Sequence, residues 1–247
     1  MDLQTFFAQN PRAAIAFSGG ADSAFLLWAA VTAGADVCAY YVQSEFQPAF
    51  ERRDAERLAR EVGARLRVLN VSALHAPGVR ENPPERCYFC KQAIFSAITA
   101  AARADGYTLL LDGTNASDDA ADRPGMRALR ELSVRSPLRE CGLTKAEIRK
   151  LSREAGLFTW DKPAYACLAT RIPAGEVITA EKLAATERAE DYLFSLGFTD
   201  FRVRYAAGAA KLQLPAAQWP RLLEHRAEIL NTLRRDYTAV TLDLEVR

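Results

Sequence analysis

The chain has 247 residues, of which 49% are hydrophobic and 26% charged. That is the composition of a globular protein of one large domain, or one with a small second, and excludes a disordered chain. With 32 Lys and Arg against 31 Asp and Glu, the net charge of +1 excludes a strongly basic surface over the whole molecule.

Residues 13–17 are an apolar run ending at Ser18-Gly19-Gly20, and a helical pattern follows over 23–32. Residues 37–42 are a second strand, 47–62 a polar-faced helix, 65–71 a third strand, 84–104 a helix and 108–111 a fourth strand. This alternation predicts a parallel sheet with helices on both faces. Residues 123–154 hold 9 basic and 4 acidic side chains, the pattern of a solvated helical face plus loop. Within them Thr144-Lys145-Ala146-Glu147 has the form of a capping box, opening a helix that stops at Gly156. Beyond Pro173 come a helix over 179–196, strands over 201–205 and 210–214, a helix over 218–233 and a strand over 239–246. Residues 161–175 connect the two regions. The expected fold is α/β, with a parallel-sheet domain over residues 1–172 and a small α+β domain of αββαβ order over 173–247.

No stretch approaches the 20 or so apolar residues of a membrane span, and the first ten residues lack a basic segment followed by an apolar one. The cysteine count of five is odd. Reduced thiols in the cytoplasm are the expectation, since a chain this long buries a core without disulfides.

Ser18-Gly19-Gly20-Ala21-Asp22-Ser23 lies where the first strand turns into a helix. Two glycines let backbone approach an anion, the helix start offers unpaired N–H groups, and Ser18 and Ser23 add hydroxyls. Asp22 either caps the helix or acts through a magnesium ion. The Lys-Ser/Thr ending of a Walker A loop is missing, and the string is not a dinucleotide GxGxxG. Asp112-Gly113-Thr114-Asn115 follows the fourth strand, at the carboxyl edge where open α/β sheets bind ligands. Gly113 permits close approach, and Thr114 and Asn115 offer hydrogen bonds to a nucleotide.

Cys87 and Cys90 stand at i and i+3 of a helix and share a face. They read as a redox dithiol, half of a zinc site, part of an iron–sulfur site, or two buried core thiols. Zinc lacks partners, because His75 and His225 are isolated, and a thioredoxin-like pair belongs at the first strand–helix junction. Cys167 lies in Lys162-Pro163-Ala164-Tyr165-Ala166-Cys167-Leu168-Ala169-Thr170-Arg171-Ile172-Pro173, where the charges of Lys162 and Arg171 would favour a thiolate. Cys38 and Cys141 read as structural. Arg202 and Arg204 alternate with Phe201, Val203 and Tyr205, so both share one strand face, either solvated or suited to a phosphate.

The Ser18–Ser23 string resembles the PP-loop of the ATP pyrophosphatase superfamily, whose members cleave ATP between the α- and β-phosphates and adenylate a substrate oxygen. The resemblance implies ATP and Mg2+ as cofactors and a Rossmann-like, adenine nucleotide alpha hydrolase-like domain. A longer series is more specific. It runs from SGGxDS through DGTN with Asp118-Asp119 and Arg123-Pro124-Gly125, then Ser136-Pro137-Leu138, Gly142-Leu143-Thr144-Lys145, the KPxxxCLATRIP segment, and Thr241-Leu242-Asp243-Leu244. This series is similar, over nearly the whole chain, to the LarE-type ATP-dependent sacrificial sulfur transferases.

That resemblance implies adenylation of a carboxylate of pyridinium-3,5-dicarboxylate mononucleotide and its conversion to a thiocarboxylate, in the making of a nickel-pincer nucleotide cofactor. Cys167 matches the sulfur-donating cysteine. Cys87, Cys90 and Cys167 match three cysteines that in some relatives are thought to hold a 4Fe–4S cluster, and this variant is the expectation. Arg202 and Arg204 would take the substrate phosphate. The implied partners are this small molecule and further copies of the chain; neither membrane nor nucleic acid is expected. Three other readings keep the nucleotide loop: a PP-loop tRNA thiolase using the basic stretch, an ammonia-using amide synthetase, and a nucleotide-binding module without catalysis.

Overall fold

Strands buried on both faces read as continuous apolar runs, and two such runs build the centre of the first sheet. The computed structural model describes residues 1–118 and 124–245. The chain divides into two units, Met1–Pro77 with Glu85–Tyr165, and Gly78–Pro84 with Ala166–Arg247.

The first unit opens with α1 (Leu3–Gln9), capped by the Asp2 carboxylate on Thr5 N–H at 2.7 Å. There follow β1 (Arg12–Ala16), α2 (Ala21–Thr32), β2 (Asp36–Gln43), α3 (Ala49–Glu61), β3 (Arg65–Asn70), α4 (Arg86–Ala104) and β4 (Leu110–Leu111). Their order in the sheet is β3-β2-β1-β4, all parallel. Alternation sorts β2 between two cores. Val37, Ala39 and Tyr41 pack with Phe6, Phe25 and Leu58. Cys38, Tyr40 and Val42 pack with Phe95, Ile98 and Tyr107 on the other face.

The predicted parallel sheet is present. The basic stretch is more than a solvated face: it holds α5 (Pro124–Glu131), α6 (Pro137–Glu140) and α7 (Lys145–Glu154), and it buries Leu129, Leu138 and Ile148. The capping box forms, with Glu147 N–H on Thr144 Oγ1 at 3.3 Å and Thr144 N–H on Glu147 Oε2 at 2.8 Å. Of the quoted motif residues, Asp119 and Arg123 lie outside the described residues, as does Val246 at the end of the last predicted strand.

The second unit carries a 3-10 turn at Leu168–Arg171, then α8 (Ala180–Ser195), β5 (Arg202–Ala206), β6 (Ala209–Gln213), α9 (Trp219–Glu224), α10 (Arg226–Leu233) and β7 (Val240–Leu242). The single helix predicted over 218–233 is broken at His225, and a 3-10 turn precedes it. β5 and β6 form an antiparallel hairpin, and β7 adds parallel to β6. Leu193, Phe198, Val203, Leu212 and Ile229 fill the core between sheet and helices. Gly78–Pro84 belongs to this unit through backbone bonds. Gly175 N–H donates to Asn82 O at 2.8 Å and Ile178 N–H to Arg80 O at 2.9 Å, while buried Asn82 donates from Nδ2 to Pro173 O at 2.7 Å.

Candidate active site

Because β2 and β4 flank β1 on opposite sides, the chain reverses direction across the sheet at β1. Such a switch point leaves a crevice at the carboxyl ends of the strands. The Ser18–Ser23 loop leaves β1 there, and the Asp112–Asn115 turn leaves β4. Between them lies a cleft of about 310 Å3, lined among others by Ser18, Gly20, Asp22, Ser23, Gly113 and Thr114. A larger hollow of about 450 Å3 lies against Leu3, Phe25, Trp28 and Leu151. Its lining is mostly apolar and holds none of these motif residues, so the chemistry is assigned to the smaller cleft.

Gly19 takes φ +71°, and an added Cβ would stand 3.2 Å from Ala55 Cβ and from Glu51 O. Both the turn and the contact with α3 therefore demand glycine. Gly20 is the N-cap of α2 without any side-chain cap, which leaves first-turn N–H groups for a ligand. The hydroxyls of Ser18 and Ser23 lie 3.1 Å apart, and Ser23 Oγ donates to Gly20 O at 3.1 Å. Asp22 does not cap the helix, as one of its two predicted roles required. It sits in the first turn and its Oδ2 accepts from Lys145 Nζ at 2.6 Å, while its Oδ1 is buried without a partner.

Across the cleft, buried Asp112 organises its own turn. Its Oδ1 accepts from Ser136 Oγ at 2.6 Å and Thr114 N–H at 3.3 Å, and its Oδ2 from Thr114 Oγ1 at 2.5 Å. Gly113 has no room for a side chain, since an added Cβ would meet Ser23 N at 2.8 Å. Asn115 is 2% exposed and accepts Ser117 N–H on Oδ1 at 2.8 Å. Its side-chain oxygen thus braces the turn.

Two lysines reach this loop from far along the chain. Lys145 pairs with Asp22, and Lys162 donates to Gly19 O at 3.2 Å and to Asp54 Oδ2 at 2.7 Å. Neither task is written locally, because 123 and 143 residues separate the partners. A third lysine, Lys91 of the CYFCK string, also lines the cleft. It lies across Gly125, where an added Cβ would meet Lys91 Cδ at 3.0 Å. This explains the glycine of the Arg-Pro-Gly motif.

In the second unit Cys167 is half-buried and is the N-cap of the 3-10 turn. Its carbonyl accepts Thr170 N–H at 2.9 Å and Thr170 Oγ1 at 2.8 Å. The two side chains expected to favour a Cys167 thiolate are both engaged in ion pairs. Lys162 is bound to Asp54 and Gly19 in the first unit. Arg171, fully buried, forms a two-pronged pair with Glu190 at 2.8 and 3.0 Å and donates to Ala166 O at 2.7 Å. Arg171 thereby locks the turn that carries Cys167. Arg204 donates from Nε to Gln213 Oε1 at 2.9 Å and from Nη1 to Thr170 O. Arg202 is 7% exposed, with Nη1 on Phe201 O at 2.6 Å. The arginine pair therefore does not form a solvated strand face, and Arg204 stands against the turn that carries Cys167.

None of the five cysteines is joined in a disulfide among the described residues. Burial pushes the Cys38 and Cys141 thiols up, which disfavours the thiolate and suits structural residues. Cys87 is exposed and Cys90 half-buried, one turn apart on α4, so neither is a core thiol. Among the described residues no three His, Cys, Asp or Glu side chains gather as a metal site.

A parallel sheet whose switch point carries an SGGxDS loop facing a DGTN turn defines a PP-loop α/β protein. No protein-family model matches the chain. It is 37% identical, over 99% of its length and 92% of the relative's, to an uncharacterised protein of Synechocystis. An uncharacterised protein of Methanocaldococcus jannaschii is 27% identical over 96% of this chain and 91% of its own. The pyridinium-3,5-bisthiocarboxylic acid mononucleotide synthase of Lactiplantibacillus plantarum is 34% identical over 94% of this chain and 86% of its own. The chain belongs to the LarE-type sulfur transferase family.

Proposed function

We propose that the protein uses ATP to transfer sulfur to a carboxylate of pyridinium-3,5-dicarboxylate mononucleotide, in the assembly of a nickel-pincer nucleotide. The observation that carries this reading is one cleft shared by the Ser18–Ser23 loop and the Gly113–Thr114 turn, in a chain 34% identical to a synthase of the bisthiocarboxylate.

A substrate carboxylate oxygen attacks the α-phosphorus of ATP and pyrophosphate leaves, giving an acyl adenylate. The backbone N–H groups at the start of α2 and the hydroxyls of Ser18 and Ser23 bind the phosphates. The Cys167 thiolate then attacks the acyl carbon and AMP leaves, giving a thioester. Loss of the Cys167 Cα proton, with cleavage of its Cβ–Sγ bond, leaves the thiocarboxylate on the substrate and dehydroalanine in the chain. Arg202 and Arg204, on the strand beside the Cys167 turn, hold the substrate phosphate.

Magnesium fits this cleft, because Asp22 Oδ1 is buried and lacks a partner; Asp22 would hold the ion, which when bound offsets phosphate charge. Cys87 and Cys90 share a face of α4, and among the described residues no three His, Cys, Asp or Glu side chains gather as a metal site. The steps above need no cluster.

The test is intact-protein mass spectrometry after incubation with ATP and the mononucleotide. Loss of the elements of hydrogen sulfide at position 167, together with released pyrophosphate, is expected. Pyrophosphate release without any change at Cys167 would show that the sulfur has another source.

A further inference from the structure

Lys162 opens the segment that ends at Cys167, yet its side chain serves the nucleotide loop. Nζ donates to Gly19 O at 3.2 Å and to Asp54 Oδ2 at 2.7 Å, and it lies 5.6 Å from the centre of the Phe50 ring. The side chain is 16% exposed. Its own backbone carbonyl accepts Arg149 Nη2 at 2.8 Å. A lysine bound at both ends is placed in advance rather than free to swing.

Its partner in the loop decides what this placement does. A trans peptide is planar, with C=O and N–H on opposite sides, and no cis peptide occurs among the described residues. Fixing Gly19 O towards Lys162 therefore turns Gly20 N–H the other way, to the side of Ser18 Oγ at 3.4 Å. Ser18 and Gly20 both line the cleft. A peptide between two glycines has no Cβ to restrict its rotation, so its orientation must be imposed from outside.

We propose that Lys162 is a positioning residue for the phosphates of ATP. It acts through the Gly19–Gly20 peptide, holding Gly20 N–H as an anion donor, and Asp54 keeps the ammonium in place. The proposal rests on the nucleotide reading of the cleft.

The test is ATP–pyrophosphate exchange by the full-length protein with its mononucleotide substrate. Lys162→Met is expected to raise KM for both ATP and pyrophosphate by about tenfold, the scale of one charge-assisted hydrogen bond. Inhibition by AMP, which lacks the β- and γ-phosphates, should not change. Lys162→Arg, which keeps a donor, should recover most of the loss. Asp54→Asn should give a smaller loss of the same pattern, and it carries the test if Lys162→Met does not fold. Unchanged Michaelis constants in a folded Lys162→Met protein overturn the proposal, as does an equal weakening of AMP, which marks a merely structural lysine. A wild type without exchange overturns the nucleotide reading and this proposal together.

Discussion

Asp22 keeps its two carboxylate oxygens in unlike states, one on Lys145 and one buried without a partner. The pair is partly exposed, at 34% and 23% for the two side chains, so it is worth at most about 1 kcal/mol. Asp22→Ala should thus melt near the wild-type temperature by circular dichroism while no longer releasing pyrophosphate. Retained release in a folded mutant would remove Asp22 from the machinery. Glu190 is the opposite case. Its carboxylate holds Arg171 and also accepts Val203 N–H at 2.9 Å, all buried. Truncating one partner of a buried ion pair costs about 3–5 kcal/mol. Glu190→Ala should show that loss in urea unfolding and loosen the Cys167 turn.

At the scale of elements, the strands and loops of the nucleotide cleft were legible because their signals are local. β1 and β2 are apolar runs, SGGxDS marks a turn into a helix, and Thr144 with Glu147 is a cap within one turn. The lysines that reach the loop were not legible, because a hydrogen bond across 143 residues leaves no spacing to read. The partner of Arg171 was not legible for the same reason: only the fold supplies Glu190. The Asp2 cap of α1 is a signal of the same local kind. Where β4 and α2 meet, Gly113→Ala would drive a methyl to 2.8 Å from Ser23 N. It should weaken ATP binding in titration calorimetry by displacing the start of α2, and unchanged affinity would show that the two loops move independently.

For the whole molecule, acid and alkali act through different groups. Asp105 accepts Tyr40 Oη at 2.6 Å and pairs with Arg67, and these hold its carboxyl below the usual range. Asp236 is likewise lowered by Arg188. A depressed carboxylate means that the unfolded chain takes up protons first. The stabilisation is full above the ordinary value of about 4 and is lost as pH falls through the folded values. Burial raises the Tyr40 and Tyr237 phenols, the latter to about 12; their contribution is full below about pH 10 and lost above it. Melting temperature should therefore be level between these limits as far as these groups govern it, and Asp105→Asn should flatten the acid limb. A second measurement addresses the thiols of α4. Cys87→Ala should still complete one turnover with mass loss at Cys167, and the anaerobic protein should be colourless. A brown protein bleached by Cys87→Ala would instead establish a cluster.

Gly78–Pro84 has a consequence for how the chain comes into being. The second unit is assembled from two pieces of polypeptide, with Arg80 and Asn82 supplying carbonyls to the N–H groups of Ile178 and Gly175. On a ribosome the early piece must wait, its carbonyls on water, until more than eighty later residues have emerged. A fragment of residues 166–247 made alone would lack those partners and should exchange its Gly175 and Ile178 amides with deuterium far faster than the intact chain. The same fragment given a peptide of residues 78–84 should recover protection. The chain thus passes between the two units three times, and neither can be excised at one cut.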